Sequence, residues 1–324
     1  MKAIRCVEWG GPEKLRLEDV APPQPGPGEV RLKVHAAAVN FPDVLIIQRK
    51  YQVRPELPFT PGVELSGTVL EVGPGVNRLR VGMRVAANVG TGAFAEEAVA
   101  REGAFFALPE AVSDDVGAAF LLTYGTTWHA LVDRAALRPG ERLLVLGAAG
   151  GVGLAACDIG RHLGARVIAA ASSAEKLALC REYGASETID YTTEEIRAGI
   201  ARTTGGEGAD VIYDPVGGDL AEPAFRSIAW RGRYLVIGFA GGTIPALPLN
   251  LALLKGASLV GAYWGEHVRR EPERHARETE ELIAAIAAGR LKPLVSRRYA
   301  LAETAQALRD MAARQVRGKI VIVP

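Results

Sequence analysis

The sequence predicts an α/β chain in which a doubly wound parallel sheet accompanies a β-rich domain. Three observations lead there. The apolar run Leu143–Leu146 enters the small-residue turn Gly147-Ala148-Ala149-Gly150-Gly151-Val152-Gly153 and continues into an alanine-rich segment. From about Ser113 helical and strand patterns alternate, which demands parallel pairing with right-handed crossovers. Before that, residues 1 to roughly 120 carry short strands punctuated by Gly and Pro, the texture of a partly closed β-domain.

Taken in order, Lys2–Val7 opens as a strand, and Ala21–Gly28, rich in proline, is a stiff approach to the next one. Glu29–Ala37 alternates with Val30, Leu32 and Val34 on one face. Val63–Val72 follows, closed by Gly73-Pro74-Gly75, then Val81–Ala87 and Gly92–Val99. A helix over Asp114–Leu122 leads to a turn at Tyr124-Gly125-Thr126-Thr127 and a second helix to Ala136. Strand 143–146 and helix 152–163 come next, then strand 166–171, helix 174–183, strand 188–190 and helix 193–201. Segments 211–213, 221–228, 234–237 and 258–262 complete the alternation, with Gly164 and Gly184 as helix stops. Two amphipathic helices, 277–288 and 303–313, precede a last strand, Lys319–Val323, expected to return to the first domain. The expected domains are residues 1–120, a nucleotide-binding domain at 121–263, and a return to the first domain over 264–324.

Bulk properties narrow the function. The 324 residues are 48% hydrophobic and 23% charged, and the net charge of +1 disfavours a general nucleic-acid binder. Neither a signal peptide nor a run long enough to span a bilayer is visible. Three scattered cysteines, Cys6, Cys157 and Cys180, suggest a reducing, cytoplasmic setting and no disulfide framework.

The turn after 143–146 carries the chemistry. Glycine permits positive φ and lets backbone approach an anion closely, while the following helix offers free N–H groups and its positive dipole end. The pattern reads Ala148-x-Gly150-x-x-Gly153, a dinucleotide fingerprint with alanine in place of its first glycine. The tip of the next strand selects the dinucleotide. An NAD site usually carries an acid there; here the sequence is Ala171-Ser172-Ser173-Ala174-Glu175-Lys176. Two hydroxyls and a lysine suit a 2′-phosphate, hence NADPH. A Ser N-cap beside a solvated lysine fits these residues equally well.

The chain resembles the zinc-independent quinone oxidoreductases of the medium-chain dehydrogenase/reductase superfamily. The likeness rests on Ala38-Val39-Asn40-Phe41-Pro42-Asp43, on Leu57–Gly67, on the Gly147–Gly153 turn, on Ala209–Gly218 and on Gly318-Lys319-Ile320-Val321. It implies a Rossmann sheet plus a GroES-like β-domain. Zinc-dependent relatives carry a cysteine near Asn40 and a histidine where this chain has Val63, beside Glu64. The five histidines show no ligand spacing, so no metal is expected, and Glu64 is expected to pair with an arginine.

Residue by residue, the resemblance implies a 2′-phosphate site from Ser172, Ser173, Lys176, Tyr191 and Arg314. It assigns the pyrophosphate to Gly150, Val152 and Gly153, and the remaining cofactor contacts to Thr126, Val216, Gly238 and Phe239. Asn40 and Tyr51 are the candidates for orienting the acceptor carbonyl. Leu45 stands where such reductases often have a second tyrosine, which favours a more apolar acceptor. The expected reaction is NADPH-dependent reduction of a quinone or enone, in a homodimer formed near Ser258–Ala262, with no membrane and no nucleic-acid partner. The same scaffold also suits an enoyl-thioester or acrylyl-CoA reductase; the N-terminal domain shows no basic cluster to mark a carrier channel, while Arg269, Arg270 and Arg274 leave that reading open. A non-enzymatic RNA-binding or crystallin-like role is disfavoured by the lack of a basic stripe interleaved with aromatics.

Overall fold

The computed structural model describes residues 1–324 and divides them into two compact units, Met1–Leu122 with Pro293–Pro324, and Thr123–Lys292. In the first unit the strands are β1 (Lys2–Cys6), β2 (Leu15–Asp19), β3 (Glu29–Val39), β4 (Glu64–Val72), β5 (Arg84–Asn88), β6 (Glu97–Arg101) and β7 (Phe105–Ala107). Helix α1 (Phe41–Ile47) follows β3, and α2 (Asp114–Ala119) follows β7. Helix α3 (Leu121–Trp128) crosses into the second unit, where a π-helical turn, His129–Arg134, extends it. The second unit then runs β8 (Arg142–Leu146), α4 (Gly151–His162), β9 (Arg166–Ala171), α5 (Ala174–Glu182), β10 (Ala185–Asp190) and α6 (Ile196–Thr204). It continues with β11 (Ala209–Asp214), α7 (Ala221–Arg226), β12 (Ile228–Val236), α8 (Leu249–Lys255), β13 (Ser258–Gly261), α9 (Trp264–Arg270) and α10 (Pro272–Ala287). Strand β14 (Val295–Ala300), helix α11 (Thr304–Ala312) and β15 (Lys319–Val323) belong to the first unit.

The alternation read along β3 is the one observed: Val30, Leu32 and Val34 are buried with Leu65, Val85, Phe94 and Phe105, while Lys33 on the other face is exposed. Seven strands form one sheet, with β3 paired to β4, β6 and β15. The final strand does return here, Ile320 facing Val39 in antiparallel register.

In the second unit six strands lie in the order β10-β9-β8-β11-β12-β13, every pair parallel. That order reverses direction between β8 and β11. In doubly wound sheets the crevice at such a reversal is where ligands bind, and the turn after β8 opens there. Leu144, Leu146, Ile168, Ile212, Phe225 and Tyr234 form the core beneath it.

Two expectations need correction. Tyr124–Thr127 is not a turn but the body of α3. Gly125 serves close approach rather than reversal: a Cβ there would lie 2.9 Å from the Trp264 indole. The return to the first unit begins at Pro293, not at 264. Helices α9 and α10 stay with the second unit because Trp264 packs on Gly125 and Arg274 pairs with Asp133 at 2.8 Å.

Candidate functional sites in the two units

Gly147 has φ +59, a left-handed conformation that glycine adopts freely. Gly150, extended at φ −75 and ψ 171, is the N-cap of α4. The first turn of α4 leaves the N–H groups of Gly151, Val152 and Gly153 without helical acceptors, so it presents donors to an anion. Gly153 is required by packing, since a Cβ there would lie 2.4 Å from the Gly147 carbonyl oxygen. Ala148, in the place of the first fingerprint glycine, is fully buried and donates its N–H to the Ala170 carbonyl of β9 at 3.0 Å.

At the tip of β9 the lysine and serines come together. Lys176 Nζ donates to Ser172 Oγ at 3.1 Å. Ser173 caps α5 by accepting the Lys176 N–H at 3.3 Å, so the N-cap reading holds for that residue. Tyr191 lies alongside, its N–H 3.3 Å from the Ala171 carbonyl oxygen.

Opposite the glycine turn, Asp214 organises the end of β11. It accepts N–H bonds from Val216 and Gly217, both at 2.8 Å, and the Tyr234 hydroxyl at 2.5 Å. Burial first, then the Asp214 charge, pushes the Tyr234 phenol far up, so it stays a donor. Val216 meets the turn, its Cγ2 being 2.7 Å from where a Gly147 Cβ would stand. Gly241 donates to the Val216 carbonyl at 2.7 Å, and Phe239 lies over Gly217, which brings Val216, Gly238 and Phe239 into one neighbourhood. The sequence reading missed Asp214, although a carboxylate ending an otherwise apolar strand was the signal. Thr126 is half-buried on α3, fixed by its neighbour Thr127, whose hydroxyl is 2.9 Å from that of Tyr213 and 3.3 Å from the Val152 carbonyl oxygen.

Arg314, Asn40 and Tyr51 belong to the first unit. Arg314 follows α11 at φ +57. Tyr51 is half-buried against the first-unit core. Asn40 is the N-cap of α1 and only 3% exposed. Its amide nitrogen donates to Glu64 Oε1 at 3.0 Å, and its amide oxygen accepts from Lys319 Nζ.

Glu64 pairs with a lysine rather than the expected arginine: Lys319 Nζ lies 2.7 Å from its Oε1, and both residues are buried. Strand β15 brings in this partner from 255 residues away, a contact no local pattern reveals. Glu64 Oε2 accepts the Leu122 N–H at 2.9 Å. Beside this network Asp43 accepts the Asn40 N–H at 2.8 Å. Burial pushes its pKa up to about 7, opposed by the Asn40 N–H and the Lys319 charge.

The sign follows from proton binding. Between the ordinary carboxylate value near 4 and about 7 the folded chain holds a proton on Asp43 that the unfolded chain has lost. Stability therefore falls across that window, by up to ~1.4 kcal/mol per pH unit from this group. Asp43→Asn is expected to flatten this slope. Urea midpoints measured from pH 4 to pH 8 check it, and an unchanged slope would assign the pH dependence elsewhere.

Three side chains that chain spacing does not associate also come together. Spacing along the chain concealed a cluster that the second unit assembles: ligand atoms of His129, Asp133 and His267 lie within 4.8 Å of one another.

Known proteins resemble the chain over its whole length. A family model described as "Alcohol dehydrogenase GroES-like domain" matches residues 26–110, and one described as "Zinc-binding dehydrogenase" matches residues 151–285. A quinone oxidoreductase-like protein 2 homolog of Nematostella vectensis is 40% identical over 99% of this chain and 88% of its own length. The chain belongs to the quinone oxidoreductase family of the medium-chain dehydrogenase/reductase superfamily. A quinone oxidoreductase of Pseudomonas aeruginosa is 37% identical over all of this chain and 99% of its own. The crystal structure of Escherichia coli quinone oxidoreductase complexed with NADPH superposes with a TM-score of 0.94 at 28% identity, covering all of both chains. The family places the chain among oxidoreductases with a Rossmann-like sheet and a GroES-like domain. No helix is long and apolar enough to cross a membrane.

Proposed function

We propose that this chain reduces a quinone, or a similarly electron-poor acceptor, with hydride from NADPH and without zinc. The observation that carries the reading is the tip of β9. Lys176 and Ser172 converge there, and no carboxylate ends the strand where an acid would repel a 2′-phosphate. Relatives named quinone oxidoreductase, and an NADPH complex among the structural neighbours, support it.

The donors at the zinc positions of metal-dependent relatives support the zinc-free part. Asn40 offers an amide, Val63 is apolar and buried, and the Glu64 carboxylate already faces a lysine ammonium. That set lacks the thiolate or imidazole a catalytic zinc requires.

The nicotinamide, when bound, supplies the hydride. The chain's own work is position and a few hydrogen bonds, which suffice for acceptors as reactive as quinones. In this reading α4 donates to the pyrophosphate from Val152 and Gly153, next to the Gly150 cap. Ser172, Ser173, Lys176, Tyr191 and Arg314 hold the 2′-phosphate, and Thr126, Val216, Gly238 and Phe239 flank the rest. Tyr51 is the hydroxyl donor to the acceptor carbonyl. Water is an equal contender as the proton source. Asn40, with both amide atoms engaged, acts as a positioning residue. The chain works in the cytoplasm.

The test follows NADPH and NADH oxidation against 1,4-benzoquinone, 9,10-phenanthrenequinone and crotonyl-CoA. Quinone turnover with NADPH preferred is the expected result. No quinone turnover alongside rapid thioester reduction would replace this reading with the acyl-thioester reductase.

The proposal includes a homodimer through the sheet edge. Strand β13 is the last strand of the six, and Leu249, Leu253 and Leu254 of α8 beside it are 74%, 81% and 67% exposed. An open edge flanked by so much apolar surface needs a partner. Light scattering should give twice the chain mass, and Leu253→Glu should shift it towards one. An unaltered dimer in that variant would move the interface elsewhere.

A further inference from the structure

A second cluster, distinct from the residues of the proposed reaction, sits where the π-helical turn after α3 meets α9 and α10. His129 and Asp133 are four residues apart on that turn, and His267 comes from α9. The His129 and His267 rings stack with centroids 4.3 Å apart. Both side chains are more than nine-tenths buried, and in both the Nδ1 atom has no hydrogen-bond partner. Buried nitrogens without partners are rare in folded proteins, because they lose water and gain nothing in return. Two of them side by side call for a shared ligand.

The surrounding bonds say which ligand. His267 Nε2 donates to Glu278 Oε2 at 2.8 Å, and a carboxylate only accepts, so the proton belongs on Nε2. The unpartnered Nδ1 of His267 then faces away from that carboxylate, the arrangement in which a carboxylate orients a metal-binding imidazole from behind. His129 Nδ1 lies 3.2 Å from Asp133 Oδ2, yet the pair makes no aligned hydrogen bond. Two ligands of a tetrahedral zinc stand about 3.4 Å apart, given metal–ligand distances of ~2.1 Å. Arg274 bonds Asp133 Oδ1 at 2.8 Å and Glu278 Oε1 at 2.9 Å, fixing both carboxylates. Glu271 brings a further carboxylate, its Oε1 3.6 Å from His267 Nδ1.

We propose that His129 Nδ1, Asp133 and His267 Nδ1 bind a divalent transition-metal ion, with Glu271 or water as the fourth ligand. Two imidazoles and a carboxylate suit zinc, cobalt, nickel or copper and not the oxygen-seeking magnesium or calcium. The three ligand atoms already lie within 4.8 Å of one another. The charges balance: Asp133, Glu271 and Glu278 carry three negative charges against one on Arg274, leaving two for the ion to neutralise. The ion clamps the π-helical turn to α9 and α10. Its residues differ from Asn40, Val63 and Glu64, where zinc-dependent relatives hold theirs, so this site is structural and independent of the zinc-free reaction.

The test uses the full chain, stripped with chelator and dialysed against zinc or cobalt chloride. One ion per chain is expected, with the visible spectrum of four-coordinate cobalt and a raised melting temperature. In ¹⁵N-histidine spectra of the unaltered chain, zinc should shift Nδ1 of His129 and His267 and leave His35 and His162 alone. His129→Asn should abolish stoichiometric binding. Glu278→Gln, which removes only the orienting partner, should weaken it about 10–100-fold. Absence of stoichiometric binding overturns the site, as does binding that survives His129→Asn. Zinc shifts confined to other histidines overturn it without any variant having to fold.

Discussion

Replacing Lys319 with alanine is expected to lower stability by about 3–5 kcal/mol, the cost of breaking a buried ion pair from one side. The variant leaves Glu64, fully buried, facing only the Asn40 amide and the Leu122 N–H. Those two bonds do not neutralise a carboxylate that has lost its water. Asn40 loses a partner too, so the start of α1 loosens along with the junction of β15 and β3. The melting temperature should fall by roughly 6–20 °C, at ~2–4 °C per kcal/mol for units of this size. The double variant Glu64→Gln with Lys319→Met should recover much of the loss, because removing both charges together leaves no unpaired charge in the buried site. A thermal melt of the two single variants and the double variant reads this directly. A loss below about 1 kcal/mol for Lys319→Ala would mean that Glu64 reaches water or a proton, against its burial.

Lys176→Ala carries the second large effect, on the cofactor and not on the fold. The ammonium sits at the tip of β9 on a flexible stem, steered by the Ser172 hydroxyl. Its loss removes one charged hydrogen bond to a 2′-phosphate, worth ~1.5–3 kcal/mol, or about 10–150-fold in the NADPH dissociation constant. NADH lacks that phosphate, so its affinity should change by no more than about two- to threefold, since nothing charged is left unpaired. The α5 cap survives, because Ser173 accepts a backbone N–H that alanine retains. Fluorescence titration with both nucleotides separates the cases. Equal weakening of the two would place Lys176 away from the phosphate and return the NADPH preference to question.

The residues legible in advance are those whose role is local. Gly147, Gly150 and Gly153 announce themselves because a turn against a helix N-terminus needs small residues within a few positions. Ser172, Ser173 and Lys176 are legible because one strand tip carries them all. The π-helical turn was not foreseen, since His129–Arg134 reads as ordinary helix. Tyr124–Thr127 reads as a turn because Gly125 looks like a turn residue, and its packing partner Trp264 lies 139 positions downstream.

The sequence by itself determined the parallel sheet, the glycine turn and the residue types at the strand tip, since periodicity and spacing act over one or two turns of chain. Only the tertiary structure decided which charges face each other. It set Lys319 rather than an arginine against Glu64, and it brought His267 of α9 to His129 and Asp133 of the π-helical turn. Burial is the physical reason: a charge or an imidazole acquires its partner and its protonation state from groups that reach it through space, and the fold alone brings them there.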